Sequence, residues 1–209
     1  MIAIVDYGVG NLASVRKAFA AVGAPAELVA DPARLAAADA LVLPGVGHFG
    51  HCARELRRHG LADAVRSAVA RGTPLLAICV GLQLLFEESD EDGQERGLGI
   101  LPGRVARMAG APRLPQTGWN SVSIVRRHPW LEGASDGGHF YFVHSYVPVP
   151  EDEGLVLGTM DYAGTRVAIA GREGVLGVQF HPEKSSFAGL RLLRAFAASV
   201  GSRTASEPS

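Results

Sequence analysis

The chain has 209 residues, of which 47% are hydrophobic and 20% charged, with a formal net charge of −1. That is enough apolar material for one sizeable core, and the near-neutral balance gives no electrostatic reason to seek nucleic acid or an anionic membrane. No basic segment followed by an apolar one opens the sequence and no apolar run approaches the ~20 residues that span a bilayer, so a cytoplasmic location is expected, which suits a chain with only Cys52 and Cys79 better than a disulfide framework does.

Ile2 to Asp6 reads as a short apolar strand, Leu12 to Val22 as a helix closed by Gly23, and Ala26 to Ala30 as a second strand. Asp31-Pro32 pairs an N-cap residue with proline at the first helical position. Ala40 to Leu43 is the next strand, opening into the glycine-rich loop Pro44-Gly45-Val46-Gly47-His48-Phe49-Gly50. Leu61 to Arg71 reads as a helix ending at Gly72, and Pro74 to Ile78 as a strand. Such alternation implies an α/β fold with a mostly parallel central sheet flanked by helices. After residue 100 the pattern changes: Arg104–Met108, Ser121–Val125, His139–Val147, Leu155–Asp161, Arg166–Gly171 and Val175–Phe180 all read as strands. Arg172-Glu173-Gly174 reads as a hairpin connection, which adds antiparallel strands to the C-terminal half. Ser185–Val200 is a final amphipathic helix, so residues 1–200 are expected to form one domain and 201–209 a disordered polar tail.

The chemistry concentrates at three places. In Leu75–Phe86 an apolar strand turns into an expected amphipathic helix with Cys79 at the join, and the small neighbours Ala77 and Gly81 permit the sharp turn of a nucleophile elbow. A thiol there points out of the sheet's edge and sits at a helix N-terminus, where unpaired N–H groups favour the thiolate; a small buried core cysteine is the plainer alternative. About a hundred residues later, His181-Pro182-Glu183 follows another strand-like run. Proline pushes the residue before it into the extended region, where positions i and i+2 share a side, so Glu183 can orient His181 as a general base. The loop at Gly47 supplies a third element, because its N–H and that of Val80 together can form an oxyanion hole. Gln83, four residues beyond Cys79 on the same helical face, can reach a bound substrate. His48, His51 and Cys52 lie close together but lack a fourth ligand at a suitable spacing, so no metal is expected.

Taken together, the elbow Ala77–Gln83, the Pro44-Gly45-Val46-Gly47 loop and His181-Pro182-Glu183 resemble the class I (triad) glutamine amidotransferases. More narrowly, Asp6-Tyr7-Gly8-Val9-Gly10-Asn11-Leu12, Gly118-Trp119-Asn120-Ser121, Tyr141–Tyr146 and His181–Ser185 resemble that family's glutaminase subunits of imidazole glycerol phosphate synthase, in order from residue 2 to about residue 200. Two departures stand out: Ala77 where members commonly have Gly, and Gln116-Thr117 where they often have His-Met.

The resemblance implies a fold and a reaction: a Cys79-His181-Glu183 triad that releases ammonia from glutamine without a cofactor. It also implies that one acid of the run Glu87–Asp92 takes the substrate's α-ammonium, spacing favouring Glu91, and that the backbone of Ser145 and Tyr146 faces the substrate carboxylate. His144 stays open between a packed strand histidine and a site residue. No phosphate loop or dinucleotide fingerprint is present to bind an acceptor, so the ammonia needs a partner, and the resemblance supplies a (β/α)8-barrel cyclase subunit. Asn11, Trp119, Asn120 and Lys184, placed on loops near the site, are the expected partner face, with Trp119 foremost because large aromatics anchor interfaces. Two rival readings are an amidotransferase subunit of another pathway (anthranilate, pyridoxal phosphate or guanylate synthesis) and a non-catalytic scaffold.

Overall fold

The computed structural model describes residues 1–91, 95–132 and 137–204, without the side chains of 201–204. The first half follows the expected alternation: β1 (Ile2–Val5), α1 (Leu12–Ala21), β2 (Ala26–Val29), α2 (Pro32–Ala36), β3 (Ala40–Gly45), α3 (Phe49–Arg58), α4 (Leu61–Ala70), β4 (Leu75–Cys79) and α5 (Val80–Leu84). The second half holds β5 (Glu88–Ser89), β6 (Gly103–Arg107), β7 (Gln116–Ile124), β8 (Gly138–His144), β9 (Tyr146–Pro150), β10 (Val156–Asp161), β11 (Thr165–Arg172) and β12 (Val175–Val178), and closes with α6 (Ser186–Thr204).

A nine-stranded sheet runs β2-β1-β3-β4-β12-β11-β10-β7-β8. From β2 to β12 every neighbouring pair is parallel; from β12 to β8 every pair is antiparallel. Strands β1, β3, β4 and β12 are buried at every position, the pattern of strands covered on both faces. Helix α1 packs against α6, with Phe19 and Phe196 edge to face at 6.2 Å; α3 packs against both α4 and α5, and α4 also against α2. The chain leaves β1 toward β2 on one side and returns to β3 on the other, a reversal of strand order of the kind that opens a crevice beyond the carboxyl ends of parallel strands. A smaller, separate sheet runs β5-β6-β9.

Several elements differ from the sequence expectation. Helix α3 was not expected; its buried residues Phe49, Cys52, Ala53 and Leu56 follow helical spacing, but two histidines and three arginines around them mask the stripe. The segment after Cys79 is a helix of five residues buried on all sides, not an amphipathic one. The expected strand His139–Val147 breaks at Ser145, so β8 stays in the large sheet while β9 joins the small one. Helix α6 continues through Thr204, past the expected start of the tail; residues 205–209 of that tail lie outside the described residues. The hairpin at Glu173-Gly174 forms as expected, with Arg172 paired to Val175.

Candidate active site

Strand β4 ends at Cys79, whose φ of 57° and ψ of −113° lie where non-glycine residues are strained. The turn exists because backbones meet closely behind it. A Cβ on Gly81 would lie 2.0 Å from the Leu43 carbonyl oxygen, and one on Gly45 would lie 2.8 Å from the Gly81 nitrogen. Ala77 fits between β3 and β12, fully buried and opposite Leu43 and Gly177. Cys79 is 3% exposed and opens onto a cavity of about 290 Å³, large enough for a small polar ligand.

His181 lies within hydrogen-bonding reach of Cys79, and its Nδ1 is 2.9 Å from Glu183 Oε1, with both side chains buried. The local geometry differs from the extended pair expected. His181 itself is extended, but Pro182 opens a 3-10 turn over Pro182–Lys184, and that turn brings the carboxylate back under the ring. The Glu183 Oε2 atom is buried with no hydrogen-bond partner among the described residues, so the carboxylate's charge bears on the imidazole. Burial alone would depress His181, yet hydrogen bonds and charge from Cys79 and Glu183 outweigh it and hold the group at about 9. The ring is therefore an imidazolium at neutral pH, facing the Cys79 sulfur.

Two residues outside the expected set steady this pair. Ser185 Oγ donates to the His181 carbonyl at 2.6 Å and accepts from the Tyr141 N–H at 3.0 Å, while the His181 N–H donates to the Tyr141 carbonyl. Gln179, fully buried, directs Nε2 at Cys79 Sγ over 3.8 Å. The sequence signal for Gln179 was a glutamine at the end of an otherwise apolar strand, and for Ser185 its place directly after the histidine motif.

The cavity brings together nearly all the expected substrate contacts: Gly47, Val80, Gln83, Glu91, Ser145 and Tyr146 line it with Cys79 and His181. Gln83 Nε2 donates to the Tyr146 carbonyl at 3.1 Å and to Gln179 Oε1 at 3.2 Å, so this side chain also fixes one wall. Glu91 is held in place by the Phe49 N–H, which donates to its Oε2 at 2.7 Å at the start of α3. Of the acidic run, Asp92 lies outside the described residues, and Glu87, Glu88 and Asp90 are exposed away from the cavity lining. His144 also lines the cavity; burial lowers its pKa to about 4, so the ring is neutral and its Nδ1–H donates to the Tyr146 carbonyl at 2.9 Å.

The expected partner face is only partly on loops. Trp119 and Asn120 belong to β7, because pairing with β8 begins at Gln116, well before the expected Ser121. Trp119 is 54% exposed and meets Tyr141 edge to face at 6.1 Å, and Lys184 Nζ stands 6.0 Å from the Tyr141 ring centre and lines the cavity. Asn120 is tied inward by its Nδ2 bond to the Asp161 carbonyl at 2.9 Å. Asn11 is the N-cap residue of α1 without a side-chain cap bond. His48 and His51 are exposed, whereas Cys52 turns into the core, and both cysteines are unpaired.

A buried cysteine–histidine–carboxylate row that shares a small cavity with Gly47 and Val80 can form and hydrolyse a thioester. Comparison with known proteins agrees. The chain is 49% identical over 205 residues to a Salinibacter ruber protein named imidazole glycerol phosphate synthase subunit HisH, covering 95% of this chain and 94% of that one. It is 53% identical over 192 residues to the protein of the same name from Symbiobacterium thermophilum, covering 92% and 91%. A crystal structure described as a glutamine amidotransferase superposes with a TM-score of 0.77 at 25% identity, covering 96% of this chain and all of that one. Residues 3–199 match the family described as glutamine amidotransferase class-I, and the chain belongs to that family.

Proposed function

We propose that this chain is the glutaminase subunit of imidazole glycerol phosphate synthase, hydrolysing glutamine to glutamate and ammonia for a (β/α)8-barrel cyclase subunit in histidine biosynthesis. The observation that carries the chemistry is the buried His181–Glu183 pair beside Cys79 on the lining of a cavity of about 290 Å³. The pathway rests on the names of relatives near 50% identity along almost the whole chain.

In this reading the Cys79 thiolate attacks the side-chain amide carbon of glutamine, and the N–H groups of Gly47 and Val80 receive the oxyanion. His181, protonated at neutral pH, gives its proton to the departing nitrogen, so ammonia leaves as the C–N bond breaks and a thioester forms. The now neutral ring takes a proton from water, which attacks the thioester, releases glutamate and restores the thiolate. Glu183 keeps the ring aligned throughout. Glu91 receives the α-ammonium, the Ser145 and Tyr146 backbone the α-carboxylate, and Gln83 supports that wall. No step calls for a cofactor. Trp119, Lys184, Asn11 and Asn120 form the face toward the cyclase in a heterodimer, Trp119 with the largest exposed apolar area. A cytoplasmic setting follows from the biosynthetic role; among the described residues no helix is long and apolar enough to cross a membrane.

The test is glutamate release by the purified chain, alone and with the cyclase subunit and its nucleotide substrate, with Cys79→Ala as control. Strong stimulation by the partner, absent in the control, supports the whole reading. Glutaminase activity indifferent to this partner would move the chain to another pathway's amidotransferase, and no activity in either setting would leave a non-catalytic scaffold.

A further inference from the structure

Two polar side chains of the core take no part in the triad. Tyr7, fully buried just beyond β1, donates its hydroxyl to the Pro44 carbonyl at 2.7 Å. Cys52, fully buried on α3, donates its thiol to the Val46 carbonyl at 3.3 Å. The two lie within hydrogen-bonding reach of each other, and burial pushes both up, Tyr7 well above its usual value and Cys52 to about 11. Both therefore keep the protons that make them donors.

The carbonyls they hold belong to the loop that leaves β3 for the cavity. A peptide unit is planar and trans, so its carbonyl and the following N–H point to opposite sides. With the Val46 carbonyl turned toward the buried thiol, the Gly47 N–H is turned away from it, toward the cavity that Gly47 lines with Cys79. Tyr7 also sets the floor of the loop: a Cβ on Gly45 would lie 3.0 Å from its hydroxyl oxygen. Rotation of the Val46–Gly47 unit would break the bond from the buried thiol to the Val46 carbonyl, which costs stability. Gly47 sits at φ +81° with open space around its Cβ position, so its own surroundings do not pack it into one orientation; the constraint comes from beneath.

We infer that Tyr7 and Cys52 are positioning residues for the oxyanion site, gripping the Pro44 and Val46 carbonyls from below and thereby aiming the Gly47 N–H at the reacting carbonyl oxygen. This rests on the reading of Gly47 as an oxyanion donor. Because the oxyanion exists only along the acylation and deacylation path, loss of the grip lowers kcat and leaves KM for glutamine nearly unchanged. It also leaves untouched a reaction of Cys79 that creates no oxyanion. Alkylation by iodoacetamide is such a reaction, since the thiolate forms an S–C bond at a saturated carbon as iodide departs.

The experiment compares wild type, Tyr7→Phe, Cys52→Ala and Cys52→Ser, each in complex with the cyclase subunit. It measures glutamine turnover and, by mass spectrometry, the rate of Cys79 alkylation. The expected result is a fall in kcat of roughly tenfold for Tyr7→Phe and Cys52→Ala, smaller than the 10²–10³ of deleting an oxyanion donor outright. KM should change less than about twofold and alkylation should keep its wild-type rate, with Cys52→Ser, which retains a donor, recovering most of the turnover. Turnover within about twofold of wild type in both Tyr7→Phe and Cys52→Ala overturns the inference, as does a parallel loss of turnover and alkylation, the mark of a merely structural role. Wild-type complex that releases no glutamate sinks the proposed function itself, and that outcome is visible before any variant is compared.

Discussion

In the parallel half of the large sheet, β1, β3, β4 and β12 are buried at every residue; in the antiparallel half, β7 and β8 alternate between buried and accessible positions. The first half carries the proposed reacting groups. Gly47, Cys79 and His181 all lie at or just beyond the carboxyl ends of neighbouring strands β3, β4 and β12. The second half carries the groups proposed for recognition: Ser145 and Tyr146 where β8 gives way to β9, and the exposed Trp119 against Tyr141 on the sheet's last two strands. The lesson is a division of labour within one sheet. In the proposed reading, strands covered on both faces hold the chemistry, and strands with an accessible face hold what meets a ligand or a second protein.

The sharpest way to break that division is to remove groups from the first half and ask whether only chemistry suffers. Cys79→Ala should lower glutamine turnover by roughly 10⁴-fold or more while binding of the cyclase subunit stays intact, as read by titration calorimetry. At that φ of 57°, Cys79→Gly should be more stable than Cys79→Ala by about 1–2 kcal/mol, the reverse of the usual order. Glu183→Gln should cost roughly 10²–10⁴ in kcat, since the neutral amide no longer favours the imidazolium. Gly81→Ala tests the frame rather than the groups: its Cβ meets the Leu43 carbonyl, so we expect a loss of about 3 kcal/mol, a fall of roughly 6–12 °C in Tm. In the second half, Trp119→Ala should weaken cyclase binding roughly tenfold and leave Cys79 alkylation of the free chain unchanged. Slower alkylation in that variant would show that the two halves are not separable.

The smallest effects are in pH. His181 is held above its ordinary value, so the stability it contributes is complete below about 6.5 and is lost as pH rises through about 9. His144 is depressed, so protonation of the unfolded chain erodes stability as pH falls from about 6.5 to about 4. Thermal melts across that range should therefore show a maximum, with a shallower alkaline limb in Cys79→Ala, which lacks one of the groups that raise His181. Equal alkaline limbs in the two proteins would count against Cys79 as one of those groups.

Legibility in the sequence followed the same division. Continuous apolar runs ending in Cys79 or leading to His181 were readable because strands buried on both faces leave little ambiguity. Strand β7 was not, since Gly118 and Trp119 look like a loop, and Gly118 adopts φ +133° within the strand. The break at Ser145 was hidden because apolar residues continue on both sides of it, although the two strands join different sheets. Glu183 was placed correctly beside His181 for an incomplete reason, since a turn and not an extended segment brings it there. Gln179 and Tyr7 reach partners 100 and 37 residues away, Cys79 Sγ and the Pro44 carbonyl, and nothing in local pattern announces such long-range pairings.

The facing glycines 45 and 81 work as a spacer gauge. One stands two residues before Gly47 and the other one residue after Val80, and they bring the two backbones to a separation that leaves no room for a methyl group. That close approach sets the distance between the two backbones, and a single added carbon at either glycine resets it at once.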